Sequence, residues 1–256
     1  MEITENNIYL GDAYELIKKI PDKSVDLIVT DPPYQIEGLT GGGMLKEKRI
    51  QNLMTELGDN NLDIGIDESI LDEFMRILKK PNIYIWMNLK QLYSYLQYFV
   101  GKHNCNWNLI IWQKSNAMPL CGGKYLNDCE YCAYFYKGVK LNTNYETAKT
   151  VYVKSININD KKDYGHPTIK PIDIIKNLIT NSSGGGLIFD PFVGSGTTCV
   201  AAKELGCKYI GFEINEKYYK IAVDRLNGIN KKGELDLFNT DFDKLQEEYE
   251  EIKLDI

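Results

Sequence analysis

Four consecutive residues, Asp31-Pro32-Pro33-Tyr34, combine side chains that could bind and orient a planar amine. They follow the apolar run 25–30, a predicted strand, and ligands bind at the carboxyl ends of strands in open α/β sheets. Asp31 can accept a hydrogen bond from an amino group, and the prolines leave backbone carbonyls free to accept another. Tyr34 offers a face on which a base can stack. These four are candidate catalytic residues for chemistry on an exocyclic amine; the alternative is a proline-rich turn.

A second segment, residues 190–198, follows the apolar run 186–189 and opens a predicted helix. Gly194 and Gly196 allow a sharp turn and a close approach to a ligand, and the helix start presents free N–H groups. No lysine follows Gly196, as a P-loop requires, and Cys199 stands where a dinucleotide fingerprint needs a third glycine. The segment therefore favours a nucleoside without phosphates. The candidate cofactor-binding residues here are Asp190, Pro191, Phe192, Gly194, Ser195, Gly196, Thr197 and Thr198.

Glu213 ends the next predicted strand, about twenty residues after Asp190. An acid at that position is placed to bind the two hydroxyls of a ribose. The alternative is that Glu213 only caps the helix that begins near Asn215.

Short apolar runs alternate with amphipathic stretches, which predicts an α/β fold. Strands are predicted over residues 8–10, 25–30, 82–87, 108–113, 130–136, 186–189 and 208–212. Helices are predicted over residues 13–20, 69–79, 91–100, 172–180, 197–205, 216–227 and 243–252. Two stretches, 35–66 and 138–165, break this rhythm, and loops of such length are usually functional or disordered.

The composition predicts one globular domain over residues 1–256, kept in the cytoplasm. No run of about 18 apolar residues occurs, so no membrane span is expected, and six scattered cysteines suit a reduced compartment. The net charge of −6 is concentrated in an acidic C-terminal segment, 234–256, where nine acidic and two basic residues give −7. Residues 1–233 therefore carry +1, and local basic patches there can hold phosphates.

On these residues the chain resembles the DNA amino-methyltransferases with the β-type motif order. In that family D-P-P-Y binds the target amine and F-x-G-x-G binds S-adenosylmethionine. Here residues 31–34 precede residues 192–196, as the β order requires. The resemblance implies transfer of a methyl group from S-adenosylmethionine to the N6 amine of an adenine flipped out of the duplex, by direct displacement.

Further blocks extend the resemblance over residues 11–227. Asp12 and Asp31 match positions at the family's cofactor site, Asp12 contacting the adenine. His166, Thr168 and Lys170 belong to a match for H-P-T-x-K-P, which helps hold the cofactor's methionine end. Residues 112–114 and 130–131 are similar to the family's middle blocks.

The resemblance also implies a class I methyltransferase fold, Rossmann-like and circularly permuted. Its sheet is mostly parallel and seven-stranded, with one antiparallel strand and flanking helices. The predicted strands 25–30 and 186–189 would then lie side by side, bringing Asp31 and Gly194 together. Three alternatives stay open: an N4-cytosine DNA methyltransferase, a methyltransferase of RNA or of protein amides, and a catalytically inactive DNA-binding module.

Double-stranded DNA is the expected substrate, with residues 115–165 as a short target-recognition region and 35–66 as a loop insertion near the active site. A homodimer and a cognate restriction endonuclease are open as partners. No metal is expected, because Cys129 and Cys132 would face opposite sides of a strand. The candidate DNA-binding residues are Lys46, Lys48, Arg49, Lys137, Lys140, Lys149, Lys154, Lys161 and Lys162.

Overall fold

The computed structural model describes residues 2–33, 66–117, 125–156 and 169–229. Their strands are β1 (Asn7–Leu10), β2 (Leu27–Thr30), β3 (Asn82–Met87), β4 (Asn106–Lys114), β5 (Cys129–Tyr136), β6 (Val151–Lys154), β7 (Leu187–Asp190) and β8 (Lys208–Glu213). Their helices are α1 (Ala13–Leu16), α2 (Glu68–Ile77), α3 (Leu89–Tyr95), α4 (Ile172–Ser182), α5 (Thr197–Glu204) and α6 (Glu216–Leu226). A 3-10 segment, Ile17–Lys19, continues α1, and a π-helix, Leu96–Lys102, continues α3.

The described strands form one mixed sheet in the order β1-β8-β7-β2-β3-β5-β4-β6. Only β5 runs against its neighbours; β1, β8, β7, β2 and β3 pair in parallel, and β4 and β6 share their direction. The predicted α/β architecture is confirmed, with eight strands where seven were expected. The additional strand is β6, a four-residue edge strand inside the predicted target-recognition region.

Polar side chains set where the helices begin. Asp67 accepts a hydrogen bond from the Ser69 backbone N–H at 2.8 Å, and so caps the start of α2. Asn215 does the same at α6, where it accepts from the N–H groups of Lys217 and Tyr218. Both helices begin within one residue of the predicted position, while the predicted helix 243–252 lies outside the described residues.

Alternate residues of the central strands point into two separate cores. Ile28 of β2 packs into the core covered by α1, α2 and α3. Leu27 and Val29 of the same strand pack into the opposite core, covered by α4, α5 and α6. Because both faces are covered, the four residues of β2 are all buried, as expected of a central parallel strand. Ligands therefore have access at the strand ends.

One edge of the sheet collects most of the sequence-predicted site. It contains the carboxyl ends of β1, β8, β7, β2, β3, β4 and β6 together with the start of β5; this is called the carboxyl edge. The chain segments that follow β2, β4 and β6, and that precede β5, all join the sheet here.

Candidate active site

The two motif-bearing strands lie side by side at the centre of the sheet. β2 pairs in parallel with β7, with Ile28 opposite Phe189. The hydroxyl of Thr198, at the start of α5, donates to the Val29 carbonyl at 3.3 Å. The segment containing Asp31 and the glycine turn 194–196 therefore meet at the carboxyl edge, as the family resemblance implies.

The turn between β7 and α5 depends on two glycines with left-handed backbone conformations. Gly194 has φ of 55° and Gly196 has φ of 87°, values that other residues adopt only at a cost. Gly196 also packs against α6, since a Cβ there would lie 3.1 Å from the Cα of Ala222. The turn thus places the start of α5, with its free N–H groups, at the carboxyl edge.

Glu213 connects the end of β8 to this turn. One carboxylate oxygen accepts a hydrogen bond from the Gly194 N–H at 2.8 Å, and the other accepts from the Asn215 N–H at 2.8 Å. Burial raises the pKa of the Glu213 carboxyl, and these N–H groups partly oppose that rise. The residue that caps α6 is Asn215, so helix capping does not account for Glu213.

Asp12 lies beside Glu213 at the same edge. Leu10 is aligned with Glu213 in the β1–β8 pairing, and the Gly11 N–H donates to the Glu213 carbonyl at 2.9 Å. Asp12 caps α1 by accepting from the Tyr14 N–H at 2.9 Å. The apolar side chain of Ile214, which follows Glu213, is 67% exposed. Ile214 was not among the predicted site residues, and the only sequence signal for it was its position directly after the strand-ending Glu213.

Asp190 is the most deeply buried acid of the group. It ends β7, is only 3% exposed and accepts a hydrogen bond from the Phe192 N–H at 3.1 Å. Burial raises the pKa of its carboxyl to about 7, while the hydrogen bond from the Phe192 N–H acts in the opposite direction. Asp190 in the free protein would therefore be stabilised in its ionised form by a nearby cation.

Asp31 is held by a lysine that is distant in sequence. The ammonium of Lys170 donates to one carboxylate oxygen of Asp31 at 2.5 Å and lies 3.1 Å from Glu130. Lys114 pairs with the other oxygen of Glu130 at 2.9 Å. Lys170 was predicted to hold the cofactor's methionine end, and the structure places its ammonium against Asp31, the residue predicted to bind the target amine. Lys114 and Glu130, which belong to the family's middle blocks, are connected to Asp31 through Lys170.

Arg225 of α6 donates hydrogen bonds to the glycine turn and to the first residue of α5. Its guanidinium donates to the hydroxyl of Thr197 at 2.9 Å and to the backbone carbonyl of Ser195 at 3.2 Å. The arginine is buried, so these bonds form away from bulk water. Arg225 was not among the predicted site residues, because the amphipathic pattern of α6 does not indicate what its buried arginine contacts.

Several predicted site residues lie outside the described part of the chain. They are Tyr34, Lys46, Lys48, Arg49, Lys161, Lys162, His166 and Thr168. Pro32 is buried and Pro33 is half-buried directly after β2, and Pro191 and Phe192 lead into the glycine turn.

The four described DNA-binding candidates do not form one patch. Lys137 follows β5 at the edge opposite Asp31 and donates to the His103 carbonyl, and Lys140 comes three residues later. Lys149 pairs with Glu146, and Lys154 pairs with an acid at the start of α4. Of the four, Lys154 lies at the carboxyl edge, since it is aligned with the end of β4.

The residues at the carboxyl edge suit a cationic nucleoside. Glu213 and Asp12 supply carboxylate acceptors of the kind that a ribose and a base edge need, and Ile214 offers exposed apolar surface. Asp190 adds a buried carboxyl that favours a positive charge nearby. S-adenosylmethionine has these features, with an adenosine at one end and two positive charges, so the described residues fit it.

Comparisons with known proteins agree with this geometry. A family model described as DNA methylase, of the N6 and N4 type, matches residues 25–224. The type II methyltransferase M2.LlaDCHI of Lactococcus lactis subsp. cremoris is 34% identical over 248 residues, covering 87% of this chain and 90% of the relative. The type II methyltransferase M.HinfI of Haemophilus influenzae is 32% identical, covering 88% of this chain and 69% of the relative.

Solved structures have the same fold. The M1.HpyAVI–SAM complex matches with a TM-score of 0.64 and 26% identity, covering 86% of this chain and 98% of that one. The cytosine-N4-specific PvuII DNA methyltransferase matches with a TM-score of 0.65 at 16% identity, covering 91% and 95%, which shows the fold alone. None of the helices among the described residues has the length and apolar character that crossing a membrane requires.

Proposed function

The chain belongs to the DNA methylase family of N6-adenine and N4-cytosine amino-methyltransferases, which use S-adenosylmethionine, and we propose that it methylates adenine at N6. The observation that carries the proposal is the meeting of Asp31 with the glycine turn at adjacent strand ends. Asp31 favours adenine, because the N4-cytosine enzymes of the family more often carry Ser at this position, and its carboxylate can accept from the N6 amine. The target base is flipped from double-stranded DNA, because its amine is otherwise buried in the stack.

In the proposed reaction the protein mainly positions the reactants. Asp31 accepts one N–H of the amine, and the Pro32 carbonyl accepts the other, which directs the nitrogen lone pair toward the donor. S-adenosylmethionine supplies a methyl group already activated by its sulfonium. The methyl group would pass to the amine nitrogen by direct displacement, the electron pair of the carbon–sulfur bond would leave with sulfur, and the nitrogen would release its extra proton to solvent. Positioning and exclusion of water supply much of the rate.

Cofactor contacts are proposed for the residues at the ends of β1, β8 and β7. Asp12 and Glu213 would bind the adenosine, with Glu213 accepting from the ribose hydroxyls while it retains its bond from the Gly194 N–H. Its four lone-pair sites allow both. Asp190 would face the positive charge of the methionine end. His166 and Thr168, which belong to the same block as Lys170, are proposed to contact that end as well.

The type II designation of the relatives supports a restriction endonuclease of matching specificity as a partner, with both proteins in the cytoplasm. Light scattering would measure whether the enzyme is a homodimer. Residues 115–165 are proposed to read the target sequence, and among the described candidate lysines Lys154 is the best placed to approach its phosphates.

The test replaces Asp31 with asparagine, which preserves shape and removes the charge. Transfer of a labelled methyl group to mixed DNA should fall at least about 100-fold, because a preorganised electrostatic contact to the reacting group is lost. Binding of the cofactor, measured by titration calorimetry, should persist. The control is Asp22→Asn, at an exposed acid near α1, which should keep full activity. Full activity of the Asp31 variant would contradict the proposed role.

Mass analysis of the nucleosides from methylated DNA identifies the target base. N6-methyladenine is the expected product. N4-methylcytosine would overturn the adenine assignment while preserving methylation of a DNA amine. Absence of any transfer by the wild-type protein would favour the inactive DNA-binding module.

A further inference from the structure

Asp31 is the first member of a row of four alternating charges, the charge chain, formed with Lys170, Glu130 and Lys114. The successive ion-pair distances are 2.5 Å, 3.1 Å and 2.9 Å. Asp31 directly follows β2, and Lys170 lies two residues before α4. Glu130 is the second residue of β5, and Lys114 is the last residue of β4. Four separate segments thus converge on the carboxylate that is proposed to bind the target amine.

The charge chain is largely removed from water. The side chain of Lys170 is 5% exposed, and its ammonium lies 5.2 Å from the centre of the Trp86 ring. Burial alone would raise the pKa of Glu130, but Lys170 and Lys114 outweigh it and hold that pKa at about 2. Glu130 is therefore ionised at neutral pH, and its charge acts on Lys170 with little screening.

We propose that Glu130 and Lys114 are positioning residues for amine methylation, acting through Lys170 on the carboxylate of Asp31. The inference rests on the proposed function. Glu130 takes one donor of the Lys170 ammonium and so fixes where that ammonium meets Asp31. A carboxylate has about four lone-pair sites, so Asp31 can accept from Lys170 and from the target amine together.

The balance of charge explains why a second acid is required. A buried ammonium paired with Asp31 alone would draw electron density from that carboxylate and weaken it as an acceptor for a neutral amine. Glu130 shares the ammonium, and Lys114 in turn keeps Glu130 ionised and in place. Within the described part of the chain, Asp190 and Cys132 also interact electrostatically with Asp31, and neither of these two carries a positive charge that could replace Lys170.

The first test is the substitution Glu130→Gln in the full chain. At saturating DNA and cofactor, kcat should fall roughly 10- to 100-fold, the scale expected when a reacting group is misplaced by about 1 Å. The cofactor dissociation constant should stay within about twofold of the wild type. The matched control is Glu204→Gln, which breaks an ion pair with Lys176 on α4 and should leave kcat unchanged. An unchanged kcat for Glu130→Gln would overturn the inference.

The second test follows Lys170 directly in the protein without cofactor or DNA. Lysine 13Cε resonances are recorded against pH, and Lys170→Met assigns the signal. Glu130→Gln should move the Lys170 titration to lower pH by about one unit or more, because an ammonium loses one of its two anions. Glu204→Gln should not move it. No movement in the Glu130 variant would overturn the inference whether or not the protein methylates DNA, while wild-type inactivity would refute only the proposed function.

A double-mutant cycle separates positioning through Lys170 from a general structural effect. If Glu130 acts only through Lys170, adding Glu130→Gln to Lys170→Met should change kcat by less than about twofold. A further large loss in the double variant would show that Glu130 acts by another route and would overturn the proposed pathway.

Discussion

At the scale of single residues, three carboxyls at neighbouring strand ends form the candidate site. Asp190 and Glu213 are buried and Asp31 is half-buried, and each has different partners: Asp31 pairs with a lysine, Asp190 accepts from one backbone N–H, and Glu213 accepts from two. Their ordinary pKa values are similar, so the partners distinguish them. Asp31 is suited to accept from a neutral amine, and Asp190 is suited to face a cation.

The pKa of Asp190 predicts a pH dependence of cofactor binding. Burial raises this pKa to about 7 in the free protein, and a bound cation lowers it, so binding below pH 7 must release the proton. Affinity should therefore rise with pH, by up to roughly tenfold per unit, and level off above about pH 7. Titration calorimetry between pH 5.5 and 8.5 (about one and a half units either side of that pKa) measures this.

Asp190→Asn should flatten the slope below pH 7, since an amide has no proton to release. Asp22→Asn, at an exposed acid away from the carboxyl edge, should retain the wild-type slope. A slope that persists in the Asp190 variant would assign the titration to another group.

At the scale of elements, two arginines each donate hydrogen bonds from a helix to a neighbouring segment, and only one of them contacts the glycine turn. Comparing their variants separates the effect on the turn from a general loss of stability. Arg225 donates to the Ser195 carbonyl and the Thr197 hydroxyl, and Arg76 of α2 donates to the carbonyls of Ile17 and Ile20. Arg225→Met and Arg76→Met should each lower the free energy of unfolding by about 1–3 kcal/mol. Only Arg225→Met should also weaken cofactor binding. Equal cofactor affinity in the two variants would contradict the proposal that Arg225 holds the glycine turn in place for the cofactor.

A substitution at Gly211 of β8 would show how closely the residues on either side of the glycine turn pack against the sheet. A Cβ at this position would lie 2.5 Å from Cγ2 of Val193 and 2.8 Å from Sγ of Cys199. Gly211→Ala should therefore cost about 1–3 kcal/mol in urea unfolding and reduce cofactor affinity. Gly101→Ala, whose Cβ would meet nothing closer than 3.9 Å, is the control and should be close to neutral. A neutral Gly211 variant would mean that the turn can move away at little cost.

Local patterns predict the central elements well and the edge poorly. β3, with six buried residues between Pro81 and Asn88, was predicted at its observed bounds. β6 was missed although Val151-Tyr152-Val153 is a short apolar run, because that run stands alone in the polar, lysine-bearing stretch 138–165; in the structure three of its four residues are exposed. The approach of Lys170 to Asp31 spans 139 positions, and the contact of Arg225 with Ser195 depends on how α6 packs. No periodicity within one segment encodes such contacts.

At the scale of the whole molecule, the order of the sheet brings distant motifs together. The first described strand, β1, pairs with the last, β8, and β2 pairs with β7. Asp12, Glu213, Asp190 and Asp31 therefore occupy four adjacent strand ends although they span two hundred positions of the chain. The motif order in the sequence is thus compatible with a contiguous site, because the sheet inserts late strands between early ones.

The distribution of charge predicts how the chain as a whole meets DNA. Residues 234–256 carry a charge of −7 and the rest of the chain carries +1, which together give the net charge of −6. Negative charge repels the phosphate backbone over about a Debye length, roughly 10 Å at 0.1 M salt.

Deletion of residues 234–256 should therefore tighten binding to double-stranded DNA, most strongly at low salt, with the difference shrinking above about 0.5 M salt. Fluorescence anisotropy across a salt series measures the effect. A version of the full chain with the nine acids of this segment replaced by their amides is the control, and it should behave as the deletion does if charge is the cause. Equal affinity of the full and shortened chains at low salt would show that the acidic segment does not oppose DNA.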